Sequence, residues 1–329
     1  MAGARARDVA AHAGVSVGSV SNYFNRPELV SIENRERIRA AIDELDYVPN
    51  ASARELRGGG PPTIGYLTFE IDNPFSAAVY EGADLRAAEL GYTLITASSR
   101  GDVAREAEYL GLFERRRFSG IIASPSSLVG GTLGAIHRRG TAVAAVDWSM
   151  TDAPFPIVGV DDRLGGELAA RHLVEQGFRT IVFAGADDHL DLVRRRLEGV
   201  RSVVDATPGV DLEVAECTER SVAGGRKWAA SRPRDGESVG YVGVNDLVAL
   251  GILQALGERV RDGVDGVIGF DDLDILHDVV PLSSIHRPSH DLGRLAVDAI
   301  DSALRGEGTP EQVWLEPHLV ARASSVRRA

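Results

Sequence analysis

The sequence predicts a small all-α helix-turn-helix head followed by a two-lobed α/β core with two doubly wound parallel sheets. Three observations support this. Residues 1–47 contain three short segments whose apolar residues recur at helical spacing. From Thr63 onward, apolar strand-like segments alternate with amphipathic segments of helix length. A chain of 329 residues with 44% hydrophobic residues can also fill several cores. We therefore divide the chain into a head (1–47), a connecting segment (48–62) and a core (63–329).

The head begins with a helix-turn-helix pattern. The segment from Arg7 to Ala13 places its apolar residues on one side of a short helix, and Gly14 follows where a left-handed cap residue is favoured. Ser16 is a suitable N-cap for a second helix, and Ser31 for a third. Three small helices with a glycine in the first turn form a helix-turn-helix. The spacing alone would also fit a small bundle that serves only in dimerisation.

Residues 48–62 predict a hinge helix followed by a linker. The segment from Pro49 to Arg57 can form a short helix, which GGGPP then ends. An isolated helix of this length is marginal in water, so we expect it to need another surface to fold against. The alternative is a plain linker without a role of its own.

The core alternates strands and helices in two series. The first series predicts strands TIGYLTF, YTLITAS, GIIASP and AVAAVDW, and the second begins near Val158 and predicts TIVFAGA, LEVAECT, SVGYVGV and DGVIGF. Helical segments such as FSAAVYEGADLRAAELG and DLVALGILQAL separate them. Ligands of doubly wound folds bind beyond the carboxyl ends of the strands, so we expect a binding cleft between the two lobes.

The charge is divided unevenly between head and core. Residues 1–60 hold 8 Arg and 8 Asp+Glu, so the rest of the chain carries the whole formal net charge of −12. An acidic core repels polyanions, so contact with nucleic acid is expected only at the head. The single cysteine, Cys217, excludes an internal disulfide and fits a reducing compartment. No signal peptide or membrane span is apparent, so we expect a cytoplasmic protein without a membrane partner.

The sequence does not predict an enzyme. It lacks G-x-G-x-x-G after a strand, G-x-x-x-x-G-K-[ST], H-E-x-x-H and G-x-S-x-G, and its histidines lack metal-ligand spacing. The pairs Asp161-Asp162 and Asp271-Asp272 could suggest acid/base catalysis. Because adjacent residues of a strand point to opposite faces, neither pair is expected to share a site. We expect no cofactor and no metal. A solute-binding protein of transport is the other candidate, but it would need an export signal.

Several short runs in the head and the connecting segment form a recognisable pattern. They are Asp8-Val9-Ala10, Ala13-Gly14-Val15-Ser16, Val20-Ser21, Asn25 and the run Tyr47-x-Pro49-Asn50-x-x-Ala53-x-x-Leu56. In these runs the chain resembles the head and hinge of LacI/GalR-type transcriptional repressors. The resemblance extends over nearly the whole chain, through IGYLTFEIDNPF, VGVNDLVALGILQAL and VIGFDDLDILHDVVPLSSI. It implies a periplasmic-binding-protein-like core, with an N-lobe of about 63–158 and 287–318 and a C-lobe of about 159–286 and 319–329.

The resemblance implies a homodimer on a palindromic double-stranded DNA operator, with the second helix in the major groove. Asn22 can pair with adenine, where the family often has an arginine that suits guanine. In the hinge, Leu56 would wedge into the minor groove. The choice between a dimer and a tetramer stays open. The residues after Arg322 show no heptad pattern, and this favours a dimer. The implied DNA-binding residues are Arg7, Ser16, Val17, Gly18, Ser19, Ser21, Asn22, Asn25, Asn50, Ala53 and Leu56.

The resemblance also implies a small-molecule effector, a sugar or sugar derivative, that controls operator affinity. Inducer and corepressor both remain possible. At the positions of Arg220 and Arg287, sugar-binding relatives often have an aromatic residue and an amide. Together with Arg196, these two arginines predict an effector with an anionic group. The alternative is that these arginines pair with Asp272 or Glu219 at the rim of the cleft. The implied effector-binding residues are Phe75, Asp147, Arg196, Arg220, Asn245, Asp271 and Arg287.

Overall fold

The computed structural model describes residues 4–47, 62–124, 130–148, 153–185, 190–217, 219–232, 236–308 and 312–327. The chain separates into two compact units, residues 1–61 and 62–329. The hinge residues Asn50, Ala53 and Leu56 lie outside the described residues, so their predicted roles stay predictions.

The first unit is a helix-turn-helix, as predicted. Gly14 ends the first helix with a φ of 61°, in the left-handed region that favours glycine. The Ser16 hydroxyl accepts a hydrogen bond from the Ser19 amide at 3.0 Å and so caps the second helix. Ser31 caps the third by accepting from the Asn34 amide at 3.3 Å. The helices are α1 (Ala6–Ala13), α2 (Val17–Asn25) and α3 (Ile32–Glu44), with a 3-10 turn at Pro27–Leu29 between the last two.

A small apolar core holds these helices together. Val9 and Ile38 are fully buried between α1 and α3, and Val20 joins them from α2. Burial of such side chains contributes about 1.5–3 kcal/mol each, which is enough to fix the three helices against one another.

The N-lobe of the second unit contains a six-stranded parallel sheet in the order β11-β5-β4-β3-β1-β2. Its strands β3 and β4 are completely buried, which explains their nearly continuous apolar sequences. The strands are β1 (Thr63–Thr68), β2 (Thr93–Ser98), β3 (Gly120–Ala123), β4 (Ala142–Val146), β5 (Ile157–Val160) and β11 (Gln312–Leu315). The helices are α4 (Pro74–Glu89), α5 (Val103–Arg115), α6 (Gly130–Arg138) and α13 (Ser289–Leu304).

The C-lobe contains a second six-stranded sheet in the order β12-β10-β9-β8-β6-β7, with β12 antiparallel to β10 and the other pairs parallel. The strands are β6 (Thr180–Ala184), β7 (Asp211–Ala215), β8 (Val239–Gly243), β9 (Gly266–Asp271), β10 (Ser283–His286) and β12 (His318–Val320). The helices are α7 (Asp162–Glu175), α8 (Asp191–Asp205), α9 (Val222–Ser231), α10 (Asp246–Leu256), α11 (Glu258–Arg261) and α12 (Asp274–His277).

The chain passes between the lobes after β5, after β10 and between β11 and β12. Val160 still belongs to the first sheet and His318 already belongs to the second, which shifts the lobe boundaries by two residues and one residue from those implied by the resemblance. Asp161 stands at the first crossing and caps α7 by accepting from the Leu164 amide at 3.0 Å. Three crossings at one place align the carboxyl ends of both sheets along a single cleft.

Within the described residues, no helix is long and apolar enough to cross a membrane.

Candidate functional site

The seven residues predicted to bind an effector line one cavity between the lobes. The cavity has a volume of about 100 Å³. Its walls come from the carboxyl ends of strands and from the helix starts that follow them, as expected for doubly wound folds. The predicted residues in its lining are Phe75, Asp147, Arg196, Arg220, Asn245, Asp271 and Arg287.

Arg287 lines this cavity and contacts several of its other residues. It follows β10 at the second crossing and is only 2% exposed. Its guanidinium group donates to Asp147 Oδ1 from Nη2 and to Asp271 Oδ1 from Nη1, the latter at 3.2 Å. Its Nε lies 3.5 Å from Asp162 Oδ1, and its guanidinium carbon lies 4.1 Å from the centre of the Phe75 ring. Arg287 therefore touches both lobes and three carboxylates at once.

Arg196 forms a second buried ion pair. Its Nε donates to Asp162 Oδ1 at 2.8 Å and its Nη1 donates to the Val244 carbonyl at 2.5 Å. The guanidinium carbon lies 4.5 Å from the centre of the Phe270 ring, so its face is covered as well. Charged hydrogen bonds of this kind hold a long side chain in one position.

Two of the carboxylates stand on unusual backbone. Asp147 has a φ of 57° and Asp271 a φ of 107°, both in the region that non-glycine residues rarely adopt. Such conformations cost about 1–3 kcal/mol each and cluster at ligand sites. This backbone conformation directs both side chains into the cavity.

The cluster contains more carboxyl groups than guanidinium groups. Three carboxylates (Asp147, Asp162 and Asp271) face two guanidinium groups (Arg196 and Arg287). Burial raises the pKa of both Asp147 and Asp271, although Arg287 opposes the shift. Burial alone would lower the pKa of Arg287, but the three carboxylates raise it above its ordinary value.

Arg220 and Asn245 also line the cavity. Arg220 reaches across the cleft, with its Nη2 3.9 Å from Glu70 Oε1 and its guanidinium carbon 5.4 Å from the centre of the Phe69 ring. Asn245 caps α10 by accepting from the Val248 amide at 2.9 Å through Oδ1. This hydrogen bond fixes the Asn245 side chain and leaves its amide nitrogen for other contacts.

The structure changes the interpretation of both aspartate pairs. Asp161 and Asp162 start α7 rather than lie in a strand, so the premise of the opposite-face argument is wrong for them. Asp162 joins the cleft cluster and was missed, although its place two residues after a buried strand, at the start of a helix, would have indicated it. Asp271 and Asp272 do point to different partners. Arg287 pairs with Asp271, and the alternative in which it pairs with Asp272 is wrong.

The α2 surface presents the predicted DNA-reading side chains. Val17 is 51% exposed, Gly18 is exposed and Asn22 is half-buried. The hydroxyl groups of Ser16 and Ser19 lie 2.9 Å apart and bond each other. Arg7 is exposed on α1, and Ser21 is half-buried on α2. The Asn25 side chain lies outside the described part of the structure, so its predicted role stays a prediction.

Two family models match the chain. "Bacterial regulatory proteins, lacI family" matches residues 6–50, and "Periplasmic binding protein-like domain" matches residues 170–325. The ribose operon repressor of Escherichia coli strain K12 is 30% identical, over 97% of this chain and 99% of its own length.

Solved structures show the same fold. A Lac repressor dimer bound to operator and the anti-inducer ONPF superposes with a TM-score of 0.81 and 24% identity, over 99% of this chain and 100% of that one. A LacI family transcriptional regulator from Enterococcus faecium with bound ribose gives a TM-score of 0.73 and 24% identity, over 81% of this chain and 100% of that one. The chain therefore belongs to the lacI family of bacterial regulatory proteins, and it is a DNA-binding transcriptional regulator with an effector-binding core, not an enzyme.

Proposed function

We propose that this regulator is a cytoplasmic repressor that binds a palindromic operator as a homodimer and changes its operator affinity when a neutral, polyhydroxylated effector enters the cleft. The solved Lac repressor is a dimer on operator DNA, and the E. coli relative is named for a ribose operon. The observation that carries the effector assignment is the convergence of Asp147, Asp271 and the Phe75 ring on one cavity.

The chemistry of the cleft suits hydroxyl groups. Carboxylate oxygens accept hydrogen bonds from vicinal hydroxyls, the Asn245 amide can donate one, and the Phe75 ring offers an apolar face for a sugar ring. These side chains reach the cavity from both lobes, so a ligand that contacts them favours a particular angle between the lobes.

The charge of the cleft disfavours the anionic effector that the three arginines suggested. Arg196 and Arg287 are already bonded to buried carboxylates, and Arg220 approaches Glu70. A phosphate or carboxylate ligand would enter a site in which carboxyl groups outnumber guanidinium groups and in which each arginine already has an acidic neighbour, so we expect it to bind less well than a neutral one. A neutral sugar adds no charge and therefore fits the cluster better.

On the DNA side, we propose that α2 reads the operator, with Asn22 pairing an adenine in each half-site. The contact is worth about 1–3 kcal/mol of discrimination. Selection of bound fragments from genomic DNA by the full chain should yield a palindrome. The Asn22→Arg variant should change one base in each half-site of that palindrome. Selected fragments without two-fold symmetry, or an unchanged preference, would contradict the proposal.

The effector assignment is tested by gel shift on a selected fragment with D-ribose, other neutral sugars and their phosphate esters. A neutral sugar should change operator affinity by about 5–150-fold, the usual range of coupling between sites. The phosphate ester of the same sugar should have a smaller effect. A response to the ester alone would contradict the neutral-effector proposal and restore the anionic one.

A further inference from the structure

Arg287 occupies the place in the cleft where the proposed effector would be held. We propose that Arg287 is an internal competitor of the effector: its guanidinium group keeps the cleft closed through Asp147 and Asp271, and the effector binds by taking over these carboxylates. The inference rests on the proposed function and specifies how that same site is regulated.

The first argument is the match between the guanidinium group and the site. The group is flat and carries donors on its edge. Its carbon lies over the Phe75 ring, 4.1 Å from the ring centre, while its two terminal nitrogens donate to Asp147 and Asp271. A sugar would need the same aromatic face and the same two carboxylates. Both cannot use them fully at the same time.

The second argument is the space that is left. A volume of about 100 Å³ is well below the ~300–1,000 Å³ of ordinary small-molecule pockets. With Arg287 in this position, the cavity that Asp147, Asp271 and the Phe75 ring line together is smaller than an ordinary small-molecule site. A monosaccharide therefore reaches Asp147, Asp271 and the Phe75 ring together only after Arg287 moves or the lobes separate.

The third argument is that Arg287 joins the lobes. Asp147 and Phe75 belong to the N-lobe, whereas Asp162 and Asp271 belong to the C-lobe, and Arg287 contacts all four. These charge-assisted contacts are buried, so they are strong and little screened by salt. They stabilise the closed arrangement without a ligand and reduce the fraction of molecules that can accept one.

A competitor and a direct ligand give opposite results when Arg287 is changed. If only a fraction of molecules is open, the apparent affinity is reduced by that fraction, and removal of the closing contact restores it. The Arg287→Gln variant should therefore bind the effector more tightly. If Arg287 instead holds the effector, the same variant should bind it more weakly.

The first experiment needs no ligand. Hydrogen–deuterium exchange of the full-length protein should show exchange at least about tenfold faster in the Arg287→Gln variant, in peptides that contain Asp147 and Asp271. Arg294→Gln, which removes an exposed arginine of α13, should leave these peptides unchanged. Peptides from the buried strands β6 and β8 should be unchanged in every variant, which checks that the fold is intact.

The Arg287→Lys variant keeps the charge but loses the planar fork. We expect its exchange to be intermediate between those of the parent protein and Arg287→Gln. Unchanged exchange in both Arg287 variants would overturn the proposal, whatever ligand the protein binds.

The second experiment is a calorimetric titration with D-ribose. The Arg287→Gln variant should bind it at least about tenfold more tightly than the parent protein. Weaker binding by the variant would overturn the proposal, because Arg287 would then be a ligand-holding residue. If neither protein binds D-ribose, the exchange result alone supports or rejects the closing role. If no sugar changes the operator binding of the parent protein, the proposed function is contradicted. That result differs from both tighter and weaker binding in the titration.

Discussion

The backbone of Gly166 on α7 lies directly against the carbonyl group of Arg196 on α8. A Cβ atom at Gly166 would stand 2.0 Å from the Arg196 carbonyl oxygen, closer than any side chain can approach. The glycine thus allows the two helices to pack at the distance at which Arg196 reaches Asp162. A residue with no side chain controls the position of a charged group in the cleft.

Gly166→Ala should destabilise the core by about 1–3 kcal/mol, because the helices must separate to admit the methyl group. Denaturant unfolding measures the change. Gly131→Ala is the matched control, since nothing lies within 4 Å of the added Cβ in α6, and alanine there should be neutral or stabilising. Equal effects at both positions would contradict the close-packing argument. The Gly166 variant should also weaken the effector response, because the Arg196–Asp162 pair is displaced.

The cleft shows what sequence can predict in this fold. The family resemblance implied Phe75, Asp147, Asn245 and Asp271, and they line one cavity because the carboxyl ends of parallel strands meet at one edge. Their partners were harder to predict. Arg287 pairs with Asp147, 140 positions earlier in the chain, because the chain returns to the N-lobe after β10. Nothing local in the sequence indicates that return.

Local context also explains the elements that were missed. The strand β5, with the short sequence IVGV, ends at Val160, so the pair Asp161-Asp162, which was interpreted as part of a strand, instead begins α7. The strands β10 and β12 are short, and β10 contains two serines that are buried by tertiary contacts rather than by their own hydrophobicity. Tertiary packing overrides weak strand propensity at such positions.

His172 makes the C-lobe sensitive to acid. It is buried on α7, with its Nε2 2.6 Å from the Ser325 hydroxyl, and burial lowers its pKa. The unfolded chain therefore binds the proton more readily than the folded chain. The contribution of His172 to the free energy of unfolding is fully present above the ordinary histidine pKa of about 6.5 and is lost as the pH falls below it. Unfolding at pH 7.5 and 5.5 should show a larger loss for the parent protein than for His172→Gln. Identical losses would exclude His172 as the group responsible.

Asp246 makes the free energy of unfolding depend on pH in the opposite direction to His172. Burial, followed by the nearby Asp271 charge, raises its pKa to about 8, while it accepts hydrogen bonds from Ser284 Oγ at 2.6 Å and the Leu273 amide at 2.8 Å. The folded state binds the proton more readily, so this contribution is present at low pH and is lost as the pH rises through about 8. Asp246→Asn loses one hydrogen bond but cannot become charged. Its free energy of unfolding relative to the parent should therefore improve between pH 6 and pH 9, and a constant difference would contradict the assignment.

The adjacent carboxylates Asp271 and Asp272 should have different mutational effects. Asp272 is surrounded by Arg322 at 2.7 Å, His277 at 3.0 Å and His286 at 3.2 Å. Burial alone would raise its pKa, but hydrogen bonds from His286 and Arg322 bring it below the ordinary value. Because charged hydrogen bonds contribute about 1.5–3 kcal/mol each, Asp272→Asn should lower the free energy of unfolding by at least that amount.

Asp271→Asn should instead act on the response. Its strained backbone directs the side chain into the cleft, where the carboxylate meets Arg287 and, in the proposed function, the effector. Operator binding without effector should be retained, whereas the change caused by a neutral sugar should be lost. Asp272→Asn, assayed at a temperature where it is folded, should still respond. Gel shifts with and without sugar on both variants make the comparison, and a normal response from Asp271→Asn would remove this carboxylate from the effector site.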